Sequence, residues 1–172
     1  GQSVTLTFDA EPDLPPLYSD ESKVSQILRN FISNAIKYTE HGEVRVSARY
    51  LANENAMRFD VNDTGIGIPE SDLPRIFDEF VQIENPLQRR AKGTGLGLPL
   101  SRRLADLLGG RVLASSVLGT GSTFTLVVPV MHQDPGAALD APSLEAGLVP
   151  VLVVEDSPGV LLVYRRALAR SG

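Results

Sequence analysis

A chain of 172 residues with 42% hydrophobic and 22% charged side chains has the composition of a folded globular protein, long enough for one full domain and a smaller piece. Its net charge of −5 lacks the basic excess of a nucleic-acid-binding surface, so no nucleic-acid partner is expected. The absence of cysteine excludes disulfides, thiol catalysis and thiolate metal sites, and no apolar run approaches the roughly 18–20 residues of a membrane span.

The chain opens at Gly1 without a signal-peptide pattern and stops at Ser171-Gly172 inside an amphipathic pattern, so it reads as a piece of a longer protein. Val4 to Phe8 alternates like a short strand, and the prolines at 12, 15 and 16 break it. Asp20 is placed to cap a helix running to about Tyr38, with Val24, Ile27, Leu28, Phe31, Ile32, Ala35 and Ile36 as its apolar stripe. A turn at Glu40-His41-Gly42 leads into strands over about 43–51 and 56–62, joined at Asn53-Glu54-Asn55. Short helical pieces are expected from Pro69 to Phe80, then a polar stretch from Gln82 to Lys92 with no apolar period, which reads as a mobile loop. Gly97 to Leu108 is a second helix, with Pro99 tolerated in its first turn and Gly109-Gly110 closing it. Strands over 111–117 and 122–130 complete a pattern suited to a sheet with helices on one face. Residues 132–149, rich in alanine, proline and glycine, read as a linker. Beyond them Val151 to Val154 is an apolar strand pattern ending in Glu155-Asp156, followed by a helical pattern.

Few of these residues carry chemistry when taken singly. Asn30 and Asn34 lie four apart on one side of the first helix, with Lys37 and Tyr38 a turn further on. An amide oxygen is a hard ligand for Mg²⁺ and a lysine a point charge for phosphate, although two asparagines on a helix are more often only solvated. Asp63 precedes Gly65 and Gly67, where a carboxylate at a buried strand end accepts a hydrogen bond from an exocyclic amine of the kind adenine carries. By itself this is also an ordinary Asp-Thr-Gly turn. Gly93, Gly95 and Gly97 precede a helix and fit either a phosphate-facing turn or a hinge, and match neither a Walker A loop nor G-x-G-x-x-G. Gly119-Thr120-Gly121 reads as a hairpin turn. His41 and His132 have no companions that make a ligand set or a base.

Taken in order, QILRNFISNAIKYT, DTGIGIP (63–69), IFDEF (76–80), GTGLGL (93–98) and GTGSTF (119–124) resemble the N box, glycine boxes and F box of the ATP-binding catalytic domain of sensor histidine kinases, within the family shared with gyrase-type topoisomerases and heat-shock chaperone ATPases. The resemblance covers about Val4 to Val130. It implies an α+β, two-layer sandwich of the Bergerat type, with a mixed, mostly antiparallel sheet and helices on one face. It also implies ATP and Mg²⁺ as cofactors. Asn34 would hold the metal, Asn30 and Lys37 would lie near the phosphates, and these three form the catalytic set, with Tyr38 against the nucleotide. Asp63 would read the adenine amine, with Gly65 and Gly67 at the base and Thr123 acting through water. Gly93, Thr94, Gly95, Leu96, Gly97 and Leu98 would border the nucleotide. Gln82 to Lys92 would form a lid carrying Arg89, based on Phe77 and Phe80; Lys92 departs from the glycine usual at that position. Topoisomerase and chaperone relatives carry a glutamate base where this chain has Asn30, so transfer to a protein nucleophile is expected rather than efficient hydrolysis.

The tail VPVLVVEDSPGVLLVYRRAL resembles the first strand and helix of a response-regulator receiver domain, with Glu155 and Asp156 matching its Mg²⁺-binding acidic pair. The implied organisation is a catalytic domain at 1–131, a linker at 132–149 and a receiver start at 150–172. The implied parent is a homodimeric hybrid kinase, cytoplasmic in this part, whose partners are its own dimerisation and histidine-phosphotransfer helices and its receiver domain. Two alternatives remain: a hydrolytic ATPase of the same fold, and a nucleotide-binding module without catalysis.

Overall fold

The computed structural model describes residues 3–82 and 94–131, all within a compact unit spanning Gly1–Asp134. The expected linker and receiver start, with Glu155 and Asp156, lie outside the described residues. Strand β1 (Ser3–Ala10) is followed by helix α1 (Glu21–Tyr38), the hairpin β2 (His41–Leu51) and β3 (Ala56–Asp63), a 3₁₀ turn (Leu73–Arg75), helix α2 (Gly97–Leu107), and the hairpin β4 (Arg111–Val117) and β5 (Gly121–Pro129). The sheet order is β1-β2-β3-β5-β4. Only β1 and β2 run parallel, because α1 carries the chain back between them; every other pair is antiparallel. Between Pro69 and Phe80 the expected helical pieces reduce to the one 3₁₀ turn, with a proline at its start.

Helix α1 starts where the Asp20 carboxylate accepts the Lys23 N–H at 3.0 Å, a cap contributing about 1 kcal/mol. Its stripe at helical spacing buries Val24, Ile27, Phe31 and Ala35, while Leu28, Ile32 and Ile36 pack at the margin. The Phe31 ring lies 5.5 Å from that of Phe124 on β5, tilted by 35°. With Ile27, Val61, Leu126 and Leu108, this pair centres the single core between helices and sheet. Truncating a fully buried Phe31 to alanine is expected to cost ~3–5 kcal/mol.

Strand β3 divides its side chains by parity. Met57, Phe59, Val61 and Asp63 face the helices, while Arg58, Asp60 and Asn62 face outward, as the period of a strand requires. The outer face carries polar chemistry: Arg58 Nε and Nη2 hold both oxygens of Asp60 at 2.8–3.0 Å, and the Thr125 hydroxyl donates to the same carboxylate.

Phe77 and Phe80, the expected base of the lid, differ in exposure. The Phe80 ring is exposed and its φ is +63°, while its backbone N–H donates to the Gly95 carbonyl at 3.2 Å. Phe77 does pack against the core, with the Arg102 guanidinium 5.6 Å above its ring.

Candidate nucleotide site

A cavity of about 610 Å³ opens between the last turns of α1, the ends of β3 and β5, and the start of α2, a volume suited to a small organic ligand. Four conditions build it. Helix α1 presents Asn30, Asn34, Lys37 and Tyr38 to it at the i, i+4 and i+7 spacing of one face. Strand β3 ends with Asp63 on the helix-facing side. The glycine-rich turn after Asp63 is pinned to α1 by the Ile66 N–H, which donates to the Tyr38 carbonyl at 3.1 Å. Helix α2 closes the remaining side through Gly97 and Leu98.

Two glycines are required by this closeness. Gly67 has φ +67°, and an added Cβ would stand 2.2 Å from the Val117 carbonyl oxygen. At Gly97 a Cβ would meet Asn30 Oδ1 at 2.3 Å. The Asn30 amide is thus gripped by one face of α2: its Nδ2 donates to the buried Ser101 hydroxyl at 2.8 Å, and its Oδ1 lies over Gly97.

Asp63 is buried, and its Oδ1 accepts the backbone N–H of Gly65 at 2.9 Å and of Ser122 at 3.3 Å. Burial pushes its carboxyl above the ordinary carboxylate value, and the two N–H groups offset only part of that. Among the described residues no cation neutralises it, in contrast to Asp60 on the same strand. The walls around it are apolar, supplied by Ile66, Ile68, Ile76, Leu98 and Phe124. The cavity therefore combines an apolar slot, one uncompensated carboxylate, and a separate group of two amides and a lysine. The ammonium of Lys37 is 5.0 Å from the Tyr38 ring centroid. Among the described residues no cluster of three or more histidine, cysteine or carboxylate side chains exists to cage a metal. The amide oxygen of Asn34 fits a hard cation that draws most of its ligands from water and phosphate.

Of the residues singled out in the sequence, Asn30, Asn34, Lys37, Tyr38, Asp63, Gly67, Thr94, Gly95, Gly97 and Leu98 line this one cavity. Gly65 stands behind it, donating to Asp63. Leu96 caps α2 and is largely exposed. Arg89 and Gly93 lie outside the described residues, as does the expected lid except for Gln82, which lines the cavity. Thr123 requires a correction. It sits on the outer face of β5, its hydroxyl accepting from Asn62 Nδ2 at 2.7 Å, and Ser122 takes the place by Asp63. The parity of a strand decides between neighbours, and an error of one residue inverts the face. Ile76, Leu118 and Ser122 were not foreseen as lining residues. Strand register set from the Asp63–Ser122 pairing would have found Ser122, but nothing local marks Ile76 or Leu118.

The family described as histidine kinase-, DNA gyrase B-, and HSP90-like ATPase matches residues 19–132. The chain belongs to this family. Among the relatives, the aerobic respiration control sensor protein ArcB of Escherichia coli K12 is 38% identical over 177 residues, covering 99% of this chain and 23% of ArcB. The chain thus spans about a quarter of that relative. Full-length ShkA, whose crystal structure is a complex with AMPPNP, superposes with a TM-score of 0.66 at 34% identity, covering 76% of this chain and 26% of ShkA. The catalytic domain of the histidine kinase ThkA superposes at 0.63 with 26% identity, covering 74% of this chain and 81% of that domain. The mixed five-stranded sheet with its helices is the fold of histidine-kinase ATPase domains, and the relatives that the chain matches are sensor histidine kinases. No helix among the described residues is long and apolar enough to cross a membrane.

Proposed function

We propose that the chain binds Mg-ATP in the cavity under Asp63 and donates the γ-phosphate to a histidine on a separate phosphotransfer domain. The observation that carries this reading is the pairing, in one cavity, of an uncompensated buried carboxylate in an apolar slot with Asn30, Asn34 and Lys37 on a single helix face. The carboxylate suits the adenine amine, because a hydrogen bond to a charged acceptor contributes roughly 1.5–3 kcal/mol and guanine carries a carbonyl in place of that amine. Lys37 and the amides suit the phosphates. Mg²⁺, held by Asn34 and the phosphate oxygens, would neutralise charge that builds on the γ-phosphate. Thr94, Gly95 and Leu96 would border the phosphates, with Arg89 and Gly93 supplied by residues 83–93.

In the transfer, an acceptor imidazole nitrogen bonds to the γ-phosphorus as its bond to the β–γ bridging oxygen breaks. ADP leaves with that electron pair, and the N–H proton on the other nitrogen of the imidazole is released to solvent. Asn30 leaves no group in the position of a base for water, since a neutral amide accepts no proton at neutral pH, and a general base is typically worth 10²–10⁴-fold in rate. The acceptor is expected on another domain, because neither His41, at the start of β2, nor His132 lies in a motif like that of the phosphotransfer helices. The dimerisation and phosphotransfer helices, a homodimeric assembly and a receiver domain beginning at 150–172, with Glu155 and Asp156 as its metal-binding acids, are the proposed partners. The proposed boundaries are 1–131, 132–149 and 150–172.

The test mixes the 172-residue chain with γ-labelled ATP, Mg²⁺ and the phosphotransfer helices of the parent. Label is expected on the added helices and not on the chain, with slow phosphate release. Label that appears on the chain alone and survives replacement of both His41 and His132 overturns the reading. Fast steady-state phosphate release favours a hydrolytic ATPase instead.

A further inference from the structure

Helix α2 does more at Asn30 than close the cavity. Ser101, one turn beyond Gly97, is almost fully buried, and its Oγ accepts an N–H of the Asn30 amide at 2.8 Å. The Oδ1 of the same amide lies against Gly97, so near that a Cβ there would come within 2.3 Å of it. Turned over, the amide would press its nitrogen on the Gly97 Cα, which accepts no hydrogen bond. The Ser101 hydroxyl and the bare glycine therefore fix one orientation between them. A carboxamide nitrogen carries two N–H donors. One is committed to Ser101, and Oδ1 is turned to α2. The second N–H is the polar group that Asn30 has left for the cavity it lines, on the same face of α1 as Asn34 and Lys37.

We propose that Ser101 is a positioning residue for phosphate binding: by taking one N–H of Asn30 it fixes that amide as a hydrogen-bond donor to the phosphates, and keeps the Asn30 oxygen out of the metal's ligand set. The proposal rests on the reading that the phosphates lie along this face of α1. Two asparagines that look alike in the sequence then divide the work. Asn34 offers an oxygen to the cation, and Asn30, its oxygen turned away, offers an N–H to an anionic oxygen. A donor already held in the productive orientation loses little rotamer freedom when the ligand arrives. The competing account is a bond that only ties α1 to α2 and sends nothing to the nucleotide.

The test follows the two Nδ2 protons of Asn30 in the proton–nitrogen NMR spectrum of the 172-residue chain, assigned through the backbone, as Mg-ATP is added. The proton held by Ser101 is expected to stay in place, and the other to move downfield as it meets a phosphate oxygen. Calorimetry reads the same device in variants. Ser101→Ala leaves the amide free to turn, so Mg-ATP should bind about threefold to tenfold more weakly, the range of one neutral hydrogen bond. Threonine and valine have nearly the same shape and differ in the hydroxyl. Ser101→Thr should therefore keep the wild-type affinity, while Ser101→Val shows the loss seen in Ser101→Ala. A residue that only packs α2 on α1 would make the threonine and valine variants alike. Thermal melts establish that each variant is folded, and the wild-type spectrum stands without any of them. Two Asn30 protons that both stay unmoved under saturating Mg-ATP, or a folded Ser101→Ala that binds Mg-ATP as wild type does, overturn the proposal. Failure of wild type to bind Mg-ATP instead removes the nucleotide reading of the cavity, and this proposal with it.

Discussion

Asp60 and Asp63 lie three residues apart on one strand, both almost fully buried, and differ in nearly every property that matters. Asp60 faces the outer side of the sheet, bound by Arg58 and Thr125, with Arg49 Nη2 at 3.8 Å. Its burial opposes ionisation, but the hydrogen bonds of Arg58 and Thr125 and the two arginine charges outweigh it and draw its carboxyl below the ordinary value. Asp63 faces the cavity with only two backbone N–H partners, and burial raises its carboxyl. A charge that the fold has neutralised stabilises the fold. A charge left uncompensated next to an open cavity is held for a ligand.

Exchanging each carboxylate for its amide separates the two roles. Asp63→Asn keeps an oxygen for the Gly65 and Ser122 N–H groups, loses the charge and turns the remaining carboxylate oxygen into an N–H donor. ATP affinity is expected to fall about 10- to 100-fold, the loss of a charge-assisted hydrogen bond, while the ligand-free protein melts higher than wild type at pH 7. Calorimetry and a thermal melt read the two effects, and a variant that loses stability along with affinity would break the contrast. Asp60→Asn should do the reverse, costing ~1–3 kcal/mol of stability in urea titration and leaving ATP affinity close to wild type. A nucleotide defect in Asp60→Asn would tie the outer face to the site.

Acidification sharpens the same comparison. The Asp63 carboxyl is raised in the folded state, so its contribution to stability is present below the unfolded value near 3.8 and is lost as pH rises through the folded value. At neutral pH it is therefore a liability for the ligand-free protein. Its binding contribution has the opposite sense: ATP affinity should weaken as pH falls through the raised value, earlier than an ordinary carboxylate would allow, and Asp63→Asn should lack that step. Asp60, with its lowered value, contributes stability above the unfolded value, and that contribution survives acidification until pH falls through the folded one. Chemical denaturation across pH in wild type and both variants separates the two slopes. The smallest expected effect belongs to Thr123→Val. That side chain meets Asn62 on the outer face, so ATP affinity should stay within about twofold of wild type, as for most substitutions away from a site. A larger loss would restore Thr123 to the nucleotide.

The order of elements was legible along the chain because each signal is local: the Asp20 cap, the 3.6-residue stripe of α1, the alternation of the strands and the glycines that close α2. The residues of α1 and of the Asp63 turn were legible as candidates for the same reason. Isolated asparagines and an Asp-Thr-Gly turn acquire meaning only through the ordered set of motifs, and through the cavity in which the structure gathers them.

What stayed hidden depends on contacts between segments distant in sequence. No pattern around Asn30 reveals that Ser101, 71 positions later, takes its amide hydrogen, or that Gly97 must lack a side chain to let it pass. Nothing around Phe80 in the sequence reveals its positive φ or its exposed ring. The choice between Ser122 and Thr123 rests on one step of strand parity, which pairing with β3 decides and composition does not. Periodicity and turn chemistry act over a few residues and so determined the helices and the strands, while the ordered set of motifs carried the resemblance to the family. Hydrogen-bond partners, register and burial are set across the sheet and between the helices, and only the tertiary structure could decide which carboxylate is paired and which is left for a ligand.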